Sequence, residues 1–381
     1  MKKICFVATI PAAVNSFLRN HIQAAGEIYS VTVVCNSEDK YLLEGLNAQI
    51  IFLPIERKPS PLKDLLVLIQ LVKLFLQEKF DIVHSITPKA GFLNMLAAFL
   101  TGIPNRIHTY TGQVWVNKVG WKRSTLKIFD KLIVLFSTDI MVDSPSQLDF
   151  LVSEGVLSKG KGIVIGLGSI CGVDANRFCP DANMRDEVRS DLSISSEQFV
   201  ILYLGRLNRD KGILDLAVAF TDIALKRSNL VLVLVGAEED VLFEQIQQIF
   251  GLAIIERVRR VSFTNNPERY MAAADVFCLP SYREGFGQVI IEAGAAGVPS
   301  VASRIYGITD AIEEGKTGLL YTAGDVSGLT QSLLTLIGDK SLRQQMGEAA
   351  RLRVLDLFAA HKITEGVLAL YAKLLAEPYG Y

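Results

Sequence analysis

Short apolar, β-branched runs alternate along this chain with longer stretches of helical periodicity. In the first half, residues 3–9, 31–35, 50–53, 82–85, 106–109, 140–143 and 162–165 read as strands. Residues 15–25, 62–79, 91–100, 121–136 and 145–154 read as helices between them. The pattern restarts in the second half, with strands expected at 199–204, 230–235, 258–263, 276–279, 300–302 and 318–321. Alternation of this kind predicts parallel sheets covered by helices on both faces. The glycine-rich stretch 166–180 has no periodicity and separates the two series. The chain therefore reads as α/β, with two doubly wound, Rossmann-like domains facing across a cleft. The expected boundaries are 1–168, a linker at 169–180, and 181–362. The last helical stretch, 363–376, either packs on the second domain or crosses back to the first with the rest of 363–381. In such sheets ligands bind beyond the carboxyl ends of the strands.

The length of 381 residues agrees with two domains, and a hydrophobic content of 50% excludes a disordered or fibrous chain. Cys5, Cys35, Cys171, Cys179 and Cys278 form no C-x-x-C pair and have no zinc spacing, so they read as reduced thiols. The N-terminal run Ile4–Ile10 after two lysines resembles a leader, but Pro11 follows at once and a first strand fits better. The apolar stretch 62–80 carries seven charged or amide side chains and reads as a buried-face helix, not a membrane span. The net charge of −1 hides an asymmetry. Residues 1–170 hold 18 basic and 13 acidic side chains, against 21 and 27 in 171–381. The near-balance argues against nucleic acid as a general partner, and the basic first half suits an anionic surface.

Three segments carry candidate chemistry. Gly166, Gly168 and Gly172 faintly imitate a dinucleotide fingerprint, but the spacing is wrong and no helix follows, so nicotinamide binding is set aside. Gly205-Arg206 through Lys211-Gly212 follows a strand with three cations in six residues. Arg206 offers a planar fork to phosphate oxygens and Lys211 a point charge. Glu284-Gly285-Phe286-Gly287 follows another strand and runs into a helix containing Glu292. The glycines allow close backbone approach, and carboxylates at that place suit sugar or ribose hydroxyls.

Glu284 to Glu292 is an E-x7-E motif. Together with Gly205-Arg206 and Lys211, and with Gly172-Val173-Asp174 and Arg177-Phe178 ahead of them, it resembles the retaining GT-B glycosyltransferases of glycosyltransferase family 4. The resemblance covers the whole chain and is strongest in the second domain. It implies that Arg206 and Lys211 bind the donor diphosphate and stabilise the leaving nucleotide. It implies that Glu292 binds ribose, and that Glu284 holds donor-sugar hydroxyls with the backbone of Gly285, Phe286 and Gly287 nearby. Arg260 to Phe263 matches where the family reads the base. No metal or cofactor is implied beyond the nucleotide-sugar donor, for which a UDP sugar is expected.

The first domain conforms less. Its first turn, Thr9 to Ser16, lacks the glycine pair of many relatives, so the hydroxyls of Thr9 or Ser16 are candidate substitutes. His108 ends a strand where the family often places a histidine near the reacting sugar, and His84 ends another. Lys89 opens a helix and could meet an anion. Residues 114–136 hold both tryptophans, Trp115 and Trp121, with Lys118, Lys122, Arg123, Lys127 and Lys131 against one acid, Asp130. Such a basic, aromatic, amphipathic segment can lie on an anionic membrane. The run Arg106–Gly112 with Gln113-Val114-Trp115-Val116 resembles bacterial transferases that build capsule, O-antigen or protein-linked glycans on undecaprenyl diphosphate sugars. The acceptor side is therefore assigned to Lys89, Trp115, Lys118, Trp121, Lys122 and Arg123.

The expected activity is retaining transfer of a hexose or N-acetylhexosamine to a lipid-linked saccharide at the cytoplasmic face of the cell membrane, with Glu284, His108, Arg206 and Lys211 at the reacting centre. Two alternatives share the architecture: a UDP-N-acetylglucosamine 2-epimerase, and a non-enzymatic bilobal sugar-binding protein.

Overall fold

The computed structural model of the chain describes residues 1–376. It divides into two compact units: Met1–Gly172 with a returning C-terminal helix, and Val173–Ala359.

The first unit contains strands β1 Lys3–Val7, β2 Ser30–Cys35, β3 Gln49–Phe52, β4 Ile82–Ile86, β5 Asn105–Tyr110 and β6 Asp139–Val142. Its helices are α1 Pro11–Ala13, α2 Arg19–Gly26, α3 Pro61–Glu78, α4 Pro88–Leu100, α5 Gly120–Phe136 and α6 Pro145–Ser153. The second unit contains β7 Phe199–Leu204, β8 Leu230–Val235, β9 Val258–Val261, β10 Val276–Leu279, β11 Ser300–Ser303 and β12 Gly318–Tyr321. Its helices are α7 Ala182–Asp191, α8 Ile213–Ala224, α9 Phe243–Ile255, α10 Pro267–Ala273, α11 Gln288–Ala295, α12 Ile308–Ala311, α13 Val326–Gly338 and α14 Lys340–Leu357. The final helix, α15 Ala360–Ala376, belongs to the first unit.

Each sheet has six strands, all parallel, in the orders β3-β2-β1-β4-β5-β6 and β12-β11-β10-β7-β8-β9. Both orders reverse direction once, between β1 and β4 and between β7 and β10. Strands covered on both faces need apolar side chains at every position, which is why β8 is the unbroken run LVLVLV and is buried throughout. In the first unit α3, α4, α5 and α6 cover one face of the sheet, while α2 and α15 cover the other.

Polar contacts fix the return of α15. Tyr371 Oη lies 2.5 Å from Nδ1 of buried His84, whose Nε2 lies 2.6 Å from Thr109 Oγ1. His21 is held between Thr364 Oγ1 at 3.0 Å and the Ile170 carbonyl at 2.7 Å. His84 thus spends both ring nitrogens on structure, and burial pushes it down to about 3.

Two expectations for the first unit change. Residues 162–165 are not a strand. They make a single bridge, Ile163 to Met141, because Gly162 turns the chain away at φ +152°. The helix expected at 15–25 is a π-helical turn at Val14–Leu18 followed by α2. The run after Met1 forms β1, and all five cysteines are free. No described helix is long and apolar enough to cross a membrane.

Candidate active site

The topology explains why two distant motifs meet. β7 and β10 are hydrogen-bonded neighbours, with Ile201 opposite Val276, and they straddle the point where the strand order reverses. The loop after β7 carries Arg206 to Gly212, and the loop after β10 carries Ser281 to Gly287. Both leave the carboxyl edge of the sheet side by side, where doubly wound sheets bind ligands.

There, Lys211 Nζ lies 2.5 Å from Glu284 Oε1, and both side chains are largely shielded from solvent. Ser281 Oγ donates to the same carboxylate oxygen at 2.8 Å. Lys211 is held from its backbone as well, since its N–H donates to Asn208 Oδ1 at 2.9 Å. Gly212 follows at φ +66°, and a Cβ there would overlap the Pro280 carbonyl, so this crossing of the two loops requires glycine. The Tyr282 N–H donates to the Asp210 carbonyl at 2.8 Å, and Arg283 Nε lies 3.2 Å from the Asp210 carboxylate.

Arg206 is exposed and pairs with Glu239 at 2.5 Å, while Asn208 Nδ2 donates to the other oxygen of Glu239 at 2.5 Å. Glu239 and Asn208 were not anticipated. Glu239 lies 33 residues beyond Arg206, after the neighbouring strand β8, and nothing in the sequence signals the pairing.

Gly285, Phe286 and Gly287 form the turn into α11. The Phe286 side chain is buried edge-on against Phe358, with ring centroids 5.2 Å apart, so it anchors the turn. Gly287 caps α11 at φ +82°. Glu292 lies in α11, partly buried. Burial raises its carboxyl to about 7, opposed by a hydrogen bond from Gln288 and by Arg177. Arg260 and Phe263 differ in exposure. Phe263 is exposed, whereas the Arg260 guanidinium turns back onto backbone carbonyls, among them Gly236 at 2.5 Å.

The first unit has the matching reversal between β1 and β4. Thr9 Oγ1 lies 2.8 Å from Thr87 Oγ1 there, and Thr87 sits at φ +75°, a strained conformation for a β-branched residue. Thr87 also lines a small pocket with His108, Tyr110, Thr111, Gln113 and Asp130. His108 is buried, and its Nδ1 lies 2.8 Å from Ser85 Oγ. Its ring fills the space a side chain at position 91 would need, so Gly91 in α4 is what admits it. Burial lowers His108 to about 3, which keeps the imidazole neutral.

The acceptor-side residues separate into two groups. Trp115 is fully buried. It stacks on Phe150 at 5.5 Å and donates from Nε1 to Asp130 Oδ2 at 2.7 Å. Arg123 and Lys127 flank its ring at 5.3 and 5.5 Å, and each pairs with Glu154 at 2.7 Å. Trp115 is therefore a packing residue, and Arg123 has its charge engaged. Lys89 is likewise engaged, 2.5 Å from Asp64 and 2.6 Å from the Lys58 carbonyl. Lys118, Trp121 and Lys122 are exposed, with Lys122 5.9 Å from the centroid of the Trp121 ring. Asp130 is buried, and burial raises it to about 7 against the opposing Trp115 hydrogen bond.

Comparison with known proteins identifies the family and the fold. Residues 184–353 match the family of glycosyl transferases group 1, and residues 18–168 match the glycosyl transferase 4-like domain. The chain is 31% identical to the capsular polysaccharide biosynthesis glycosyltransferase CapM of Staphylococcus aureus, over 100% of this chain and 99% of that one. It is 28% identical to an Escherichia coli UDP-Gal:alpha-D-GlcNAc-diphosphoundecaprenol alpha-1,3-galactosyltransferase, over 92% and 91%. Among solved structures, Anabaena Alr3699/HepE in complex with UDP-glucose superposes with a TM-score of 0.84 at 22% identity, covering 98% of this chain and all of that one. The sucrose-phosphate synthase of Thermosynechococcus elongatus gives 0.83 at 23%, covering 99% of this chain and all of that one. The two six-stranded parallel sheets are thus those of the GT-B fold, and the chain belongs to the group 1, family 4-like glycosyltransferases.

Proposed function

We propose that this glycosyltransferase moves a hexose or N-acetylhexosamine, with retention, from a UDP sugar to a saccharide carried on undecaprenyl diphosphate, in bacterial surface polysaccharide assembly. The observation that carries the reading is the paired Lys211 and Glu284 at the strand reversal of the second unit. A cation and a carboxylate side by side suit a donor whose diphosphate adjoins a hydroxyl-bearing sugar.

In this reading Lys211 and Arg206 take the diphosphate and neutralise the charge that grows on it as the glycosidic bond breaks, without a metal. Glu284 accepts hydrogen bonds from the donor sugar, beside the backbone of Gly285, Phe286 and Gly287. Glu292 accepts from ribose, and Arg260 and Phe263 flank the base. His108 acts near the reacting sugar from the first unit. A neutral imidazole there can accept or donate a hydrogen bond without adding charge. The acceptor hydroxyl attacks from the face the diphosphate leaves, and the departing phosphate oxygen takes its proton. The UDP and lipid-diphosphate assignments draw support from the substrates of the E. coli relative and from the UDP-glucose bound by the Anabaena protein. The chain would work at the inner face of the cell membrane, with Lys118, Trp121 and Lys122 towards it.

The test is a thermal-shift comparison of UDP and GDP sugars, followed by transfer to a lipid-diphosphate acceptor with the product anomer assigned by NMR. A UDP-sugar shift and a product of retained configuration are expected. An epimerised UDP sugar formed without acceptor would establish the epimerase alternative instead.

A further inference from the structure

Helix α3 is apolar on two opposite faces. Val67, Leu71 and Phe75 are buried against the sheet. On the other side Leu62, Leu66, Ile69 and Leu76 are exposed, with Lys73 among them, at the spacing i, i+4, i+7, i+11, i+14. That spacing places all five on one stripe of a helix. The outer stripe has no protein partner among the described residues, and Leu62 is 85% exposed.

Helix α5 repeats the same spacing at Trp121, Thr125, Ile128, Leu132 and Leu135, again on its outer side. Trp121 is 74% exposed and Leu135 67%. The two helices lie on either side of α4 in one layer. Edge-on ring pairing of Phe92 with Phe129 at 5.0 Å, and contact of Phe99 with Phe136 at 5.3 Å, lock α4 to α5.

The charges select what covers this face. The acids of these helices are all engaged: Asp64 with Lys89, Glu78 with Lys3, and Asp130 buried against Trp115. The exposed cations Lys73, Lys118, Lys122 and Lys131 form no ion pair among the described residues. A second copy docked here would set cation against cation with no acid to balance them, at a cost for each buried charge. A lipid leaflet with anionic headgroups meets each requirement. Its acyl boundary takes the leucines, its phosphates take the lysine heads at the ends of their flexible stems, and its headgroup layer suits an indole.

We propose that the outer faces of α3 and α5 together form a docking surface for an anionic lipid leaflet. The proposal deepens, and rests on, the membrane contact proposed above, and it adds α3 to the surface.

The experiment is flotation of the full chain with phosphatidylglycerol–phosphatidylcholine vesicles and with phosphatidylcholine vesicles. The wild-type chain is expected to float with the anionic vesicles, less so as salt rises. Leu66→Glu/Ile69→Glu should lower the bound fraction at least about tenfold, and Lys73→Glu several-fold, each with an unchanged UDP thermal shift. Lys73→Glu alters an exposed side chain only, so it tests the surface even if the double variant folds poorly. The proposal is overturned if the wild type does not float, if it floats equally with neutral vesicles, or if both variants float as the wild type does. It is also overturned if the wild type is a dimer that these substitutions split. Transfer to a water-soluble acceptor separates the two readings: its absence in a chain that floats as expected would remove the proposed activity and leave the docking surface standing.

Discussion

Lys211 Nζ and Glu284 Oε1 are 2.5 Å apart, although the two residues come from different loops 73 positions apart in the chain. The pair is largely shielded, so each charge depends on the other. An incoming diphosphate and sugar can share the pair, the phosphate drawing on Lys211 and a sugar hydroxyl donating to Glu284.

In the proposed reaction Lys211→Ala is expected to cost about 10²–10³ in kcat/KM, since it would remove a cation from the departing diphosphate and leave Glu284 without its partner. Glu284→Gln keeps the shape and loses the charge. It is expected to lower transfer strongly while weakening UDP binding little. Calorimetric UDP binding alongside steady-state transfer measures both effects. Full activity in both variants would remove these residues from the site.

Most of this arrangement was legible in the sequence, and the reasons are physical. The strands expected at 199–204, 230–235, 276–279 and 318–321 have those boundaries in the structure, because buried parallel strands demand unbroken apolar runs. The two motifs of the second unit could be placed at strand ends, and the strand order then made them neighbours. Long-range polar partners left no such trace. Glu239 beside Arg206 and Tyr371 beside His84 are set by folding alone. Trp115 was misleading because its basic flank suggests a surface, whereas Arg123 and Lys127 lie against a buried ring. Helix α3 showed its apolar content, but not that half of it faces outward.

Gly212→Ala should destabilise the second unit by about 2 kcal/mol or more. It combines a left-handed backbone with a Cβ placed on the Pro280 carbonyl. The loss of melting temperature should exceed that of Gly338→Ala, where a Cβ meets nothing within 4 Å. Equal losses would mean that the two loops do not cross as described.

Tyr371→Phe should cost about 1–2 kcal/mol, because it strips a hydrogen bond from a fully buried imidazole. The effect should localise. Amide exchange in α15 should speed up more than exchange in the second unit. His84 and His108 also set an acid limit. Both are about 3 when folded and near 6.5 when unfolded, so the unfolded chain binds more protons between those values. Stability contributed by the neutral rings is complete above pH 6.5 and is lost as pH falls towards 3.

Asp130 works with the opposite sign, and one substitution isolates it. Its carboxyl is raised to about 7 when folded, against an ordinary value near 4, so between those values the folded chain holds a proton that the unfolded chain has released. Its contribution to stability is therefore present below pH 4 and declines as pH rises to 7, by up to about 1.4 kcal/mol per pH unit. Asp130→Asn keeps an oxygen for the Trp115 indole and cannot ionise. Relative to the wild type, the variant should gain stability steadily from pH 4 to 7 and hold that gain above pH 7. The histidine contributions are common to both chains and cancel in the difference. Paired melting curves across this range give the measurement. A difference independent of pH would mean that Asp130 ionises in the folded chain as it does in water, and that its hydrogen bond from Trp115 joins a full charge.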